Sequence, residues 1–391
     1  MRKGWEYKKL GEVCDVINGY AFKSSKYTSQ GTRIIRITNV QKGYVVDNDP
    51  KFYSDEDFKD LFQYSLFEGD LVMSLTGNVG RVGILQKNML PAALNQRVAC
   101  LRVKSEKMQL NYLFHLLNSN LFENAAIQSA RGIAQLNMST EWLKNYIIPL
   151  PPLSTQLAIV SELDKINELI RLKKEQLKDF DNLAQSLFYE MFGDPVENEK
   201  GWEVKKLREI GEVKTGNTPS RSNDNFYNEK FIEWIKTDNI RNEQMNPTTA
   251  AEYLSRDGAE CGRIVSKGSI LVACIAGSLS SIGKCCITTK NVAFNQQINA
   301  ITPYGDFCNS IYLYELIRNS YKYIQQNATT GMKHILSKSI FEKMKFPLPP
   351  LSLQRLFAQR IEQIEREKSE VQKSIQDLET LLASRMQYWF E

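Results

Sequence analysis

An internal repeat of about 200 residues constrains this fold more than any other feature of the chain. The opening segment KGWEYKKLGEV returns as KGWEVKKLREIGEV, which moves Trp5 to Trp202, a shift of 197 residues. GDLVMSLTG returns as GSILVACIAG, and PLPPLS at 149–154 recurs at 347–352, a shift of 198. Because the anchors keep their order and nearly one period, insertions between them belong in loops. We therefore predict a duplicated domain followed each time by a duplicated connector.

Each half opens with short apolar runs separated by Gly, Asn and Pro, a pattern typical of strands. The predicted strands are 33–40, 70–75, 98–103, 270–275 and 298–302. Predicted helices follow at 111–118 and 310–317. Each half is therefore expected to form a mixed, mainly antiparallel α/β (α+β) module of about 150 residues.

A long helix is predicted after each PLPPL motif. Ser154 and Ser352 are the predicted N-cap residues, and neither Pro nor Gly follows until Gly193 in the first copy or through residue 391 in the second. Apolar residues recur at alternating steps of four and three, which predicts a coiled-coil seam. The predicted seam residues are Leu163, Ile166, Ile170, Leu177, Phe180, Leu187, Ile361, Ile364, Val371, Ile375, Leu378 and Leu382.

The simplest partner for each long helix is the other one. An antiparallel pair would form a rod of about 57 Å with a pseudo-twofold axis, matching the local twofold symmetry of duplex DNA. The expected architecture is two globular domains, at 1–148 and 193–346, separated by two long antiparallel coiled-coil helices at 149–192 and 347–391. Separate packing of each helix on its own domain is the alternative.

Composition limits the class of protein without identifying it. The net charge is +5, and both globular parts are basic, with 19 Lys and Arg against 14 Asp and Glu in 1–148 and 20 against 17 in 193–346. This excess suits contact with phosphates but is too small to prove it. The seven cysteines form no CxxC motif, so we expect reduced core residues and no zinc site. No apolar run of membrane-spanning length occurs and the opening residues do not resemble a signal peptide, which favours the cytoplasm.

The order of domain, PLPPL and long helix, repeated twice, resembles the specificity subunits of type I restriction–modification enzymes over essentially the whole chain. Family marks include W-x-x-K-K-L at Trp5 and Trp202, TGNTPS at 215–220, and a G-D-[IL]-[LV] strand with a glycine loop and then Asn-Gln. The first half departs from the pattern, because it has NGYAFKS at 18–24 where the second half has TGNTPS.

This resemblance implies two target-recognition domains that read a split site in double-stranded DNA. It implies that the connector helices bind two methyltransferase subunits, and that restriction or motor subunits join the complex. Those partners would use S-adenosylmethionine, ATP and Mg to methylate adenine or to restrict DNA. The chain itself would be non-catalytic, hold no cofactor and contact no membrane.

Motifs for catalysis are missing from the sequence. An adenine methyltransferase needs [DNS]-P-P-[YFW] to hold a flipped base, and ATP binding needs G-x-x-x-x-G-K-[ST]; neither occurs. The D…ExK pattern formed by Asp194 and 203–205 is common by chance, which disfavours a metal-dependent nuclease. TGNVGRVG at 76–83 is followed by a strand-like pair instead of a helix, so we predict a hairpin loop facing DNA.

Candidate DNA contacts come from residue chemistry. Arg and Lys read guanine, Asn and Gln read adenine, and cations and hydroxyls contact phosphates. The candidates in the first domain are Lys23, Ser24, Arg36, Thr38, Asn39, Thr76, Asn78, Arg81, Asn95, Gln96, Arg97 and Arg131. The candidates in the second domain are Asn217, Thr218, Ser220, Arg221, Lys236, Thr237, Asn239, Ser278, Lys284, Asn295, Gln296, Gln297 and Lys333.

The repeat ranks these candidates. Residues shared by both halves are expected to be structural, and Asn95 and Asn295 have even odds of simply capping the backbone. Positions that differ are the better readout candidates, as with Arg97 against Gln297 and Arg81 against Ser281. Two other functions remain open at this point: the recognition part of a fused restriction enzyme, and a coiled-coil scaffold with two protein-binding domains and no DNA role.

Overall fold

The computed structural model describes residues 2–130, 136–241, 244–329 and 331–391. Within these ranges, no helix combines the length and the apolar character needed to cross a membrane. Six of the seven cysteines are buried and Cys261 is exposed, and all seven are free thiols.

The first half is built from short strands, short helices and one long helix. Its strands are β1 (Glu6–Lys9), β2 (Cys14–Asn18), β3 (Thr32–Ile35), β4 (Val40–Gln41), β5 (Tyr44–Val45), β6 (Phe52–Tyr53), β7 (Ser65–Leu66), β8 (Leu71–Ser74), β9 (Val82–Ile84), β10 (Ala92–Leu94), β11 (Val98–Val103) and β12 (Ile147–Leu150). Its helices are α1 (Leu10–Val13), α2 (Asp55–Phe58), α3 (Leu110–Leu117), α4 (Asn120–Ser129), α5 (Thr140–Asn145) and α6 (Leu153–Phe192).

The second half repeats most of these elements, but among the described residues it lacks a counterpart of the β4–β5 hairpin and adds a pair of two-residue strands. Its strands are β13 (Val204–Lys206), β14 (Gly211–Thr215), β15 (Ile232–Ile235), β16 (Tyr253–Leu254), β17 (Ile264–Val265), β18 (Ile270–Ala273), β19 (Ile275–Ala276), β20 (Cys285–Ile287), β21 (Val292–Phe294), β22 (Ile298–Pro303), β23 (His334–Ile335) and β24 (Lys345–Pro347). Its helices are α7 (Leu207–Ile210), α8 (Arg256–Cys261), α9 (Ser310–Asn319), α10 (Tyr321–Gln326), α11 (Lys338–Phe341) and α12 (Leu351–Phe390).

The two halves have the same sheet topology. In the first, the four-stranded sheets run β2-β11-β8-β9 and β6-β3-β10-β7; in the second they run β14-β22-β18-β20 and β16-β15-β21-β17. The pairs β3–β10 and β15–β21 are parallel, and the other pairs in these sheets are antiparallel. The predicted α+β class and the internal repeat are therefore confirmed.

The strand at the centre of each module is apolar on both faces. All four residues of β8 are buried, and alternate side chains point to opposite faces of a strand. Leu71 and Met73 therefore join the core beneath the helices, whereas Val72 joins the core between the sheets. In β18, Ile270 and Leu271 divide in the same way. This explains why the central strands appear in the sequence as continuous apolar runs.

The chain forms two compact units: Met1–Lys174 with Lys373–Glu391, and Glu175–Gln372. The division falls inside α6 and α12, so each unit contains one module, part of α6 and part of α12. In the first unit, Glu162 of α6 accepts a hydrogen bond from Trp389 of α12 (2.9 Å), and Lys174 donates to Glu379 (2.7 Å). Residues later in α6 contact residues earlier in α12, so the two helical segments are antiparallel.

The second unit shows the same pairing. Lys368 of α12 donates to Asp181 of α6 (3.1 Å), and the rings of Phe188 and Phe357 lie 5.7 Å apart. Antiparallel pairing of the long helices, expected from the heptad pattern, is thus present in each unit. The helices also pack on their modules, since Ile159 joins the first module's core and Phe188 and Phe357 join the second's.

The predicted seam residues are all at least partly removed from solvent. Seven are buried, namely Leu163, Ile166, Ile170, Ile361, Ile364, Val371 and Ile375. Five are half-buried, namely Leu177, Phe180, Leu187, Leu378 and Leu382. Phe188 and Phe192 lie outside that seam yet are 0% and 1% exposed, because this end of α6 packs against the second module's core.

One buried glutamine in each unit joins a module to its long helix. Gln156 accepts a hydrogen bond from Gln109 N (2.8 Å) and donates to Lys107 O and Pro151 O, both at 2.8 Å. Gln354 is placed in the same way. It accepts from Asn309 N (2.9 Å) and donates to Phe307 O (3.1 Å) and Pro349 O (2.8 Å).

Candidate nucleic-acid interface

In the first unit, the loops after β2, β3, β8 and β10 meet at one end of the strands. Tyr20 N donates to Leu94 O (2.9 Å), and Gln96 N donates to Tyr20 O (2.8 Å). Leu75 N donates to Arg97 O (2.9 Å). The longest-range of these bonds, between Gln96 and Tyr20, joins residues that are 76 positions apart in the sequence (96 − 20). The loop ends therefore form one surface.

Two glycines allow the loops to approach this closely. A Cβ atom on Gly19 would lie 2.1 Å from Asn95 O, and one on Gly216 would lie 2.1 Å from Asn295 O. No side chain fits at that distance from a backbone oxygen, so glycine is required at both positions. The same contact in both modules shows that the loop surface is a repeated feature.

Two adjoining hollows lie on the first unit's loop surface, and both include Gln96 and Arg97. The first hollow is lined by Ser24, Tyr27, Arg36, Ile37, Thr38, Asn95, Gln96 and Arg97. The second is lined by Thr76, Gln96, Arg97 and Asn137. The structure therefore brings together seven candidates, namely Ser24, Arg36, Thr38, Thr76, Asn95, Gln96 and Arg97.

The two arginines of the first hollow differ in their partners. Arg36 donates to the Asp49 backbone oxygen (2.6 Å) and carboxylate (3.3 Å). Hydrogen bonds from Lys51 and Arg36 lower the pKa of Asp49. Arg97 is exposed, and no acceptor among the described residues holds its guanidinium. Arg97 is therefore the cation of this hollow that is available to an external acceptor.

Asn39 and Asn239 have structural roles. Asn39 is 2% exposed; its Oδ1 accepts from Arg36 N (2.9 Å) and its Nδ2 donates to Val46 O (2.9 Å). Asn239 is 8% exposed, and its Oδ1 accepts from Lys236 N (3.0 Å). Each amide closes the turn after a strand, so its polar atoms face the protein. Their assignment to DNA contact stays a prediction, but these internal hydrogen bonds favour a structural role for both.

The shared Asn-Gln turn is also partly structural. Asn295 is 6% exposed, accepts from Gln297 N (3.1 Å) and donates to Gln297 Oε1 (3.1 Å). Asn95 is half-buried and accepts from Arg97 N (3.3 Å). Asn295 is therefore used inside the protein, which favours the capping role, and Gln297 already has a partner for its side chain. Gln96 and Gln296 are exposed beside these turns.

The second unit forms its loop surface in the same way. Asn217 N donates to Phe294 O (3.1 Å), Cys274 N donates to Gln297 O (2.8 Å), and Asn295 N donates to Ile235 O (3.0 Å). These bonds join the loops after β14, β15, β18 and β21.

Asn217 and Thr218 make side-chain contacts within that surface. Asn217 Nδ2 donates to Cys261 O (2.7 Å), and Asn217 Oδ1 accepts from Arg263 N (2.7 Å). Both polar ends of Asn217 are therefore used inside the protein. Thr218 is exposed and hydrogen-bonds Gln296.

A charged cluster lies beside this turn. Arg221 and Lys236 both donate to the carboxylate of Glu252. Partial burial disfavours the ionised form of Glu252 and by itself would raise its pKa. The hydrogen bonds from Lys236 and Arg221 outweigh this effect, so the pKa of Glu252 is lowered. Arg221 also lies over Tyr227 and Trp234. The second unit thus combines cations with aromatic rings, a pairing suited to nucleic-acid recognition.

The remaining first-unit candidates lie outside the two hollows. Lys23 and Asn78 are exposed, whereas Arg81 Nη1 donates to Gln41 Oε1 (2.9 Å). Arg131 lies outside the described residues.

The remaining second-unit candidates are also dispersed. Ser220 and Ser278 are exposed and hydrogen-bond neighbouring serines, Thr237 is half-buried, and Lys333 is exposed. Lys284 lines a separate hollow beside α6, α9 and α10, so it does not join the loop surface.

Sequence reasoning missed several residues of these surfaces. Tyr27 and Asn137 line the first unit's hollows, and Tyr227, Trp234 and Glu252 surround Arg221. Trp234 could have been found, because it lies two residues before Lys236 and alternate strand residues share a face. Glu252 gave no local signal, because it reaches Lys236 from 16 residues away.

Comparison with known proteins identifies the family. A family model described as the type I restriction modification DNA specificity domain matches residues 2–179 and 199–380. The MjaVIII specificity subunit of Methanocaldococcus jannaschii is 32% identical over 187 residues, covering 47% of this chain and 44% of that protein. The EcoAI specificity subunit of Escherichia coli is 33% identical over 168 residues, covering 42% of this chain and 28% of that protein.

The chain thus spans less than half the length of these two relatives. A third relative, the putative MjaX specificity subunit of M. jannaschii, is 22% identical across 97% of this chain and 92% of its own length. Two solved structures share the fold. One comes from work on the complex assembly and conformational transition of a type I R-M system (TM-score 0.61, 19% identity, 100% and 98% coverage).

The other structure is the type I restriction-modification S subunit of M. genitalium (TM-score 0.56, 14% identity, 98% of this chain and 95% of that one). Both alignments extend over nearly the whole chain. Because the specificity-domain model matches each half separately, the chain belongs to the type I restriction modification DNA specificity domain family.

Proposed function

We propose that this chain is the DNA-specificity subunit of a type I restriction–modification complex. In this role, each module reads one half of a split site in double-stranded DNA. The observation that carries the proposal is the duplication of one loop surface: the same four inter-strand loops meet in each module, joined by the same close contact at Gly19 and Gly216. The specificity-domain match to both halves supports it.

The two surfaces suit two different DNA sequences. The first offers Arg97 without a described partner, whereas the second has Gln297 at the matching position, already bonded to Asn295. The second instead offers Arg221 over aromatic rings. The two modules therefore carry different side chains on the same arrangement of loops. Two half-sites of different sequence require such a difference, because side chains that contact base edges determine which bases are read.

Catalysis is assigned to partner subunits in this proposal. Two methyltransferase subunits using S-adenosylmethionine would modify adenine, and restriction or motor subunits using ATP and Mg would cut DNA. Resemblance to the specificity subunits supports these partners and a cytoplasmic setting. The exposed apolar residues along the long helices, such as Leu169, Leu172 and Leu183, are suitable for contact with other helices.

The test is a map of methylated adenines. Cells lacking other adenine methylation would express this chain with its methyltransferase partner, and long-read sequencing would locate the modified bases. We expect one split motif. The variant Arg97→Gln should change the bases preferred in one half only, by about 10- to 100-fold at one position, because a bidentate guanine contact is worth that much.

Lys87→Gln is the matched control. Lys87 is also exposed and loses the same charge, but it lies in the turn before β10, at the strand end opposite Arg97. This variant should keep the motif. Absence of methylation at any split motif, together with no DNA binding by the assembled complex in a gel shift, would favour the scaffold alternative.

A further inference from the structure

The second unit holds one arginine over two immobile aromatic rings. The guanidinium carbon of Arg221 lies 4.5 Å from the ring centre of Tyr227 and 4.8 Å from that of Trp234. Trp234 is 2% exposed and its Nε1 donates to Asn217 O (3.3 Å), while Tyr227 Oη donates to Pro219 O (2.6 Å). Because both rings are fixed, they restrict the plane in which the guanidinium can lie.

Glu252 restricts the same group from a second direction. Its Oε2 accepts a hydrogen bond from Arg221 Nη2, and its Oε1 accepts from Lys236. The Lys236 ammonium lies 4.9 Å from the ring centre of Trp234. One carboxylate therefore holds two cations against one aromatic surface, which leaves a net charge of +1 on this group of residues.

The guanidinium keeps donors that the protein does not use. The Arg221 side chain is 52% exposed, and Glu252 is the only acceptor seen for it among the described residues. An arginine has five N–H donors in a planar fork, so a bond through one nitrogen leaves an edge for an external acceptor. Guanine presents O6 and N7 side by side in the major groove, a pair that fits such an edge.

The first module also has a carboxylate that holds two cations, since Asp49 accepts hydrogen bonds from Arg36 (3.3 Å) and Lys51 (2.5 Å). Among the described residues, neither of these two cations lies over an aromatic ring, and the residues facing each other differ from those of the second module. Backbone pairing aligns Trp234 with Ile34, because Trp234 N donates to Glu252 O (3.1 Å) where Ile34 N donates to Lys51 O (2.8 Å). Lys51 therefore stands where the second module has Glu252, so the sign of the charge is reversed. At these two aligned positions the Trp234 ring and the Glu252 carboxylate occur in the second module alone, as expected for residues that read one half-site.

We propose that Arg221 reads a guanine in the half-site bound by the second module, and that Glu252 is the positioning residue that directs Arg221 to the base. This inference rests on the proposed function. The carboxylate holds one edge of the guanidinium and repels phosphate oxygens, so the cations beside it are less able to bind the DNA backbone without regard to sequence. Selectivity for the base follows from both effects.

Two substitutions test the two roles, and methylation mapping provides the readout. Arg221→Lys keeps the charge but removes the planar fork, so discrimination for guanine at one position of one half-site should fall about 10- to 100-fold. Glu252→Gln should weaken the same preference. It should also steepen the plot of log binding constant against log salt by about 0.9, the value for one additional phosphate contact.

Arg256→Lys is the matched control. Arg256 also lies over an aromatic ring, Phe231 at 4.9 Å, and near a carboxylate, Glu229 at 3.8 Å. It follows β16 at the end away from Glu252, outside the loop surface. This variant should leave both half-sites and the salt dependence unchanged.

The outcomes separate this inference from the proposed function. An altered guanine position in one half-site, with the other half-site unchanged, supports the inference. A split motif that stays the same in Arg221→Lys, or a second half-site without any G·C pair, overturns the inference alone. If the Glu252→Gln variant does not fold, the methylation map of the Arg221→Lys variant alone tests whether Arg221 reads a guanine. Absence of any split motif in the wild-type chain refutes the proposed function.

Discussion

Replacing either of the two buried glutamines with alanine should destabilise one unit and leave the other unchanged. Gln156 and Gln354 are each 0% exposed and each makes three hydrogen bonds between a module and the start of a long helix. Gln354→Ala removes all three in the second unit, and Gln156→Ala removes the equivalent three in the first. Alanine would leave one backbone N–H and two carbonyl groups without these partners.

The expected loss in the free energy of unfolding follows from the number of hydrogen bonds removed. A protein hydrogen bond contributes about 1 kcal/mol net, so three contribute about 3 kcal/mol. Alanine's higher helix propensity returns a few tenths of a kcal/mol, roughly 0.3 at most. A loss of about 3 kcal/mol changes an equilibrium constant about 150-fold.

Hydrogen exchange followed by mass spectrometry measures this effect locally, which suits a chain with two units. Protection of the central strand β22 should fall about 150-fold in Gln354→Ala, while β11 keeps its protection; Gln156→Ala should give the reverse. Gln359→Ala is the control, because Gln359 is exposed on the same helix as Gln354. A loss below tenfold, or equal losses in β11 and β22 from one substitution, would refute the reasoning.

Three further predictions concern the first unit. Phe390→Ala should reduce its stability by about 3 kcal/mol, because Phe390 is 5% exposed in that core, and unchanged exchange in β11 would contradict this. The hydrogen bond from Arg385 lowers the pKa of Glu162 below its usual value, so this pair stabilises at neutral pH and loses its effect as the carboxyl protonates. Glu162→Gln should therefore cost about 1 kcal/mol at pH 7 in urea unfolding, and this difference should shrink as the pH falls and the carboxyl protonates; a constant difference would count against the pair. Gly19→Ala should lower the Tm, because its Cβ would meet Asn95 O at 2.1 Å, and an unchanged Tm would show that the loops can separate.

Much of the fold was predictable because its signals are local or repeated. The predicted strand 98–103 is β11 residue for residue, and the predicted helix 111–118 is α3 within one residue at each end. The predicted strand 33–40 extends too far, because Asn39 closes a turn and the observed strand β3 ends at Ile35. That turn depends on a side chain folding back onto the backbone, which hydrophobic periodicity does not record.

The candidate site was less predictable. Residue chemistry alone placed Asn39, Asn295 and Arg97 in one candidate set, and the repeat ranked Arg97 above Asn295; in the structure the two asparagines are buried and Arg97 is exposed. Burial of a short polar side chain depends on which distant backbone groups can reach it. For the same reason Glu252, which holds two of the candidate cations, was absent from the predicted set.

The amino-acid sequence by itself determined the duplication, the α+β class and the two long helices, because repeats, apolar periodicity and Pro-rich helix boundaries act over a few residues at a time. Only the tertiary structure decided which loop residues are free to contact DNA and how the long helices divide between the two units. Those outcomes depend on contacts between segments far apart in the chain, such as Phe188 with Phe357 and Arg221 with Glu252. No local pattern specifies such contacts, because they form only after the strands and helices have packed together.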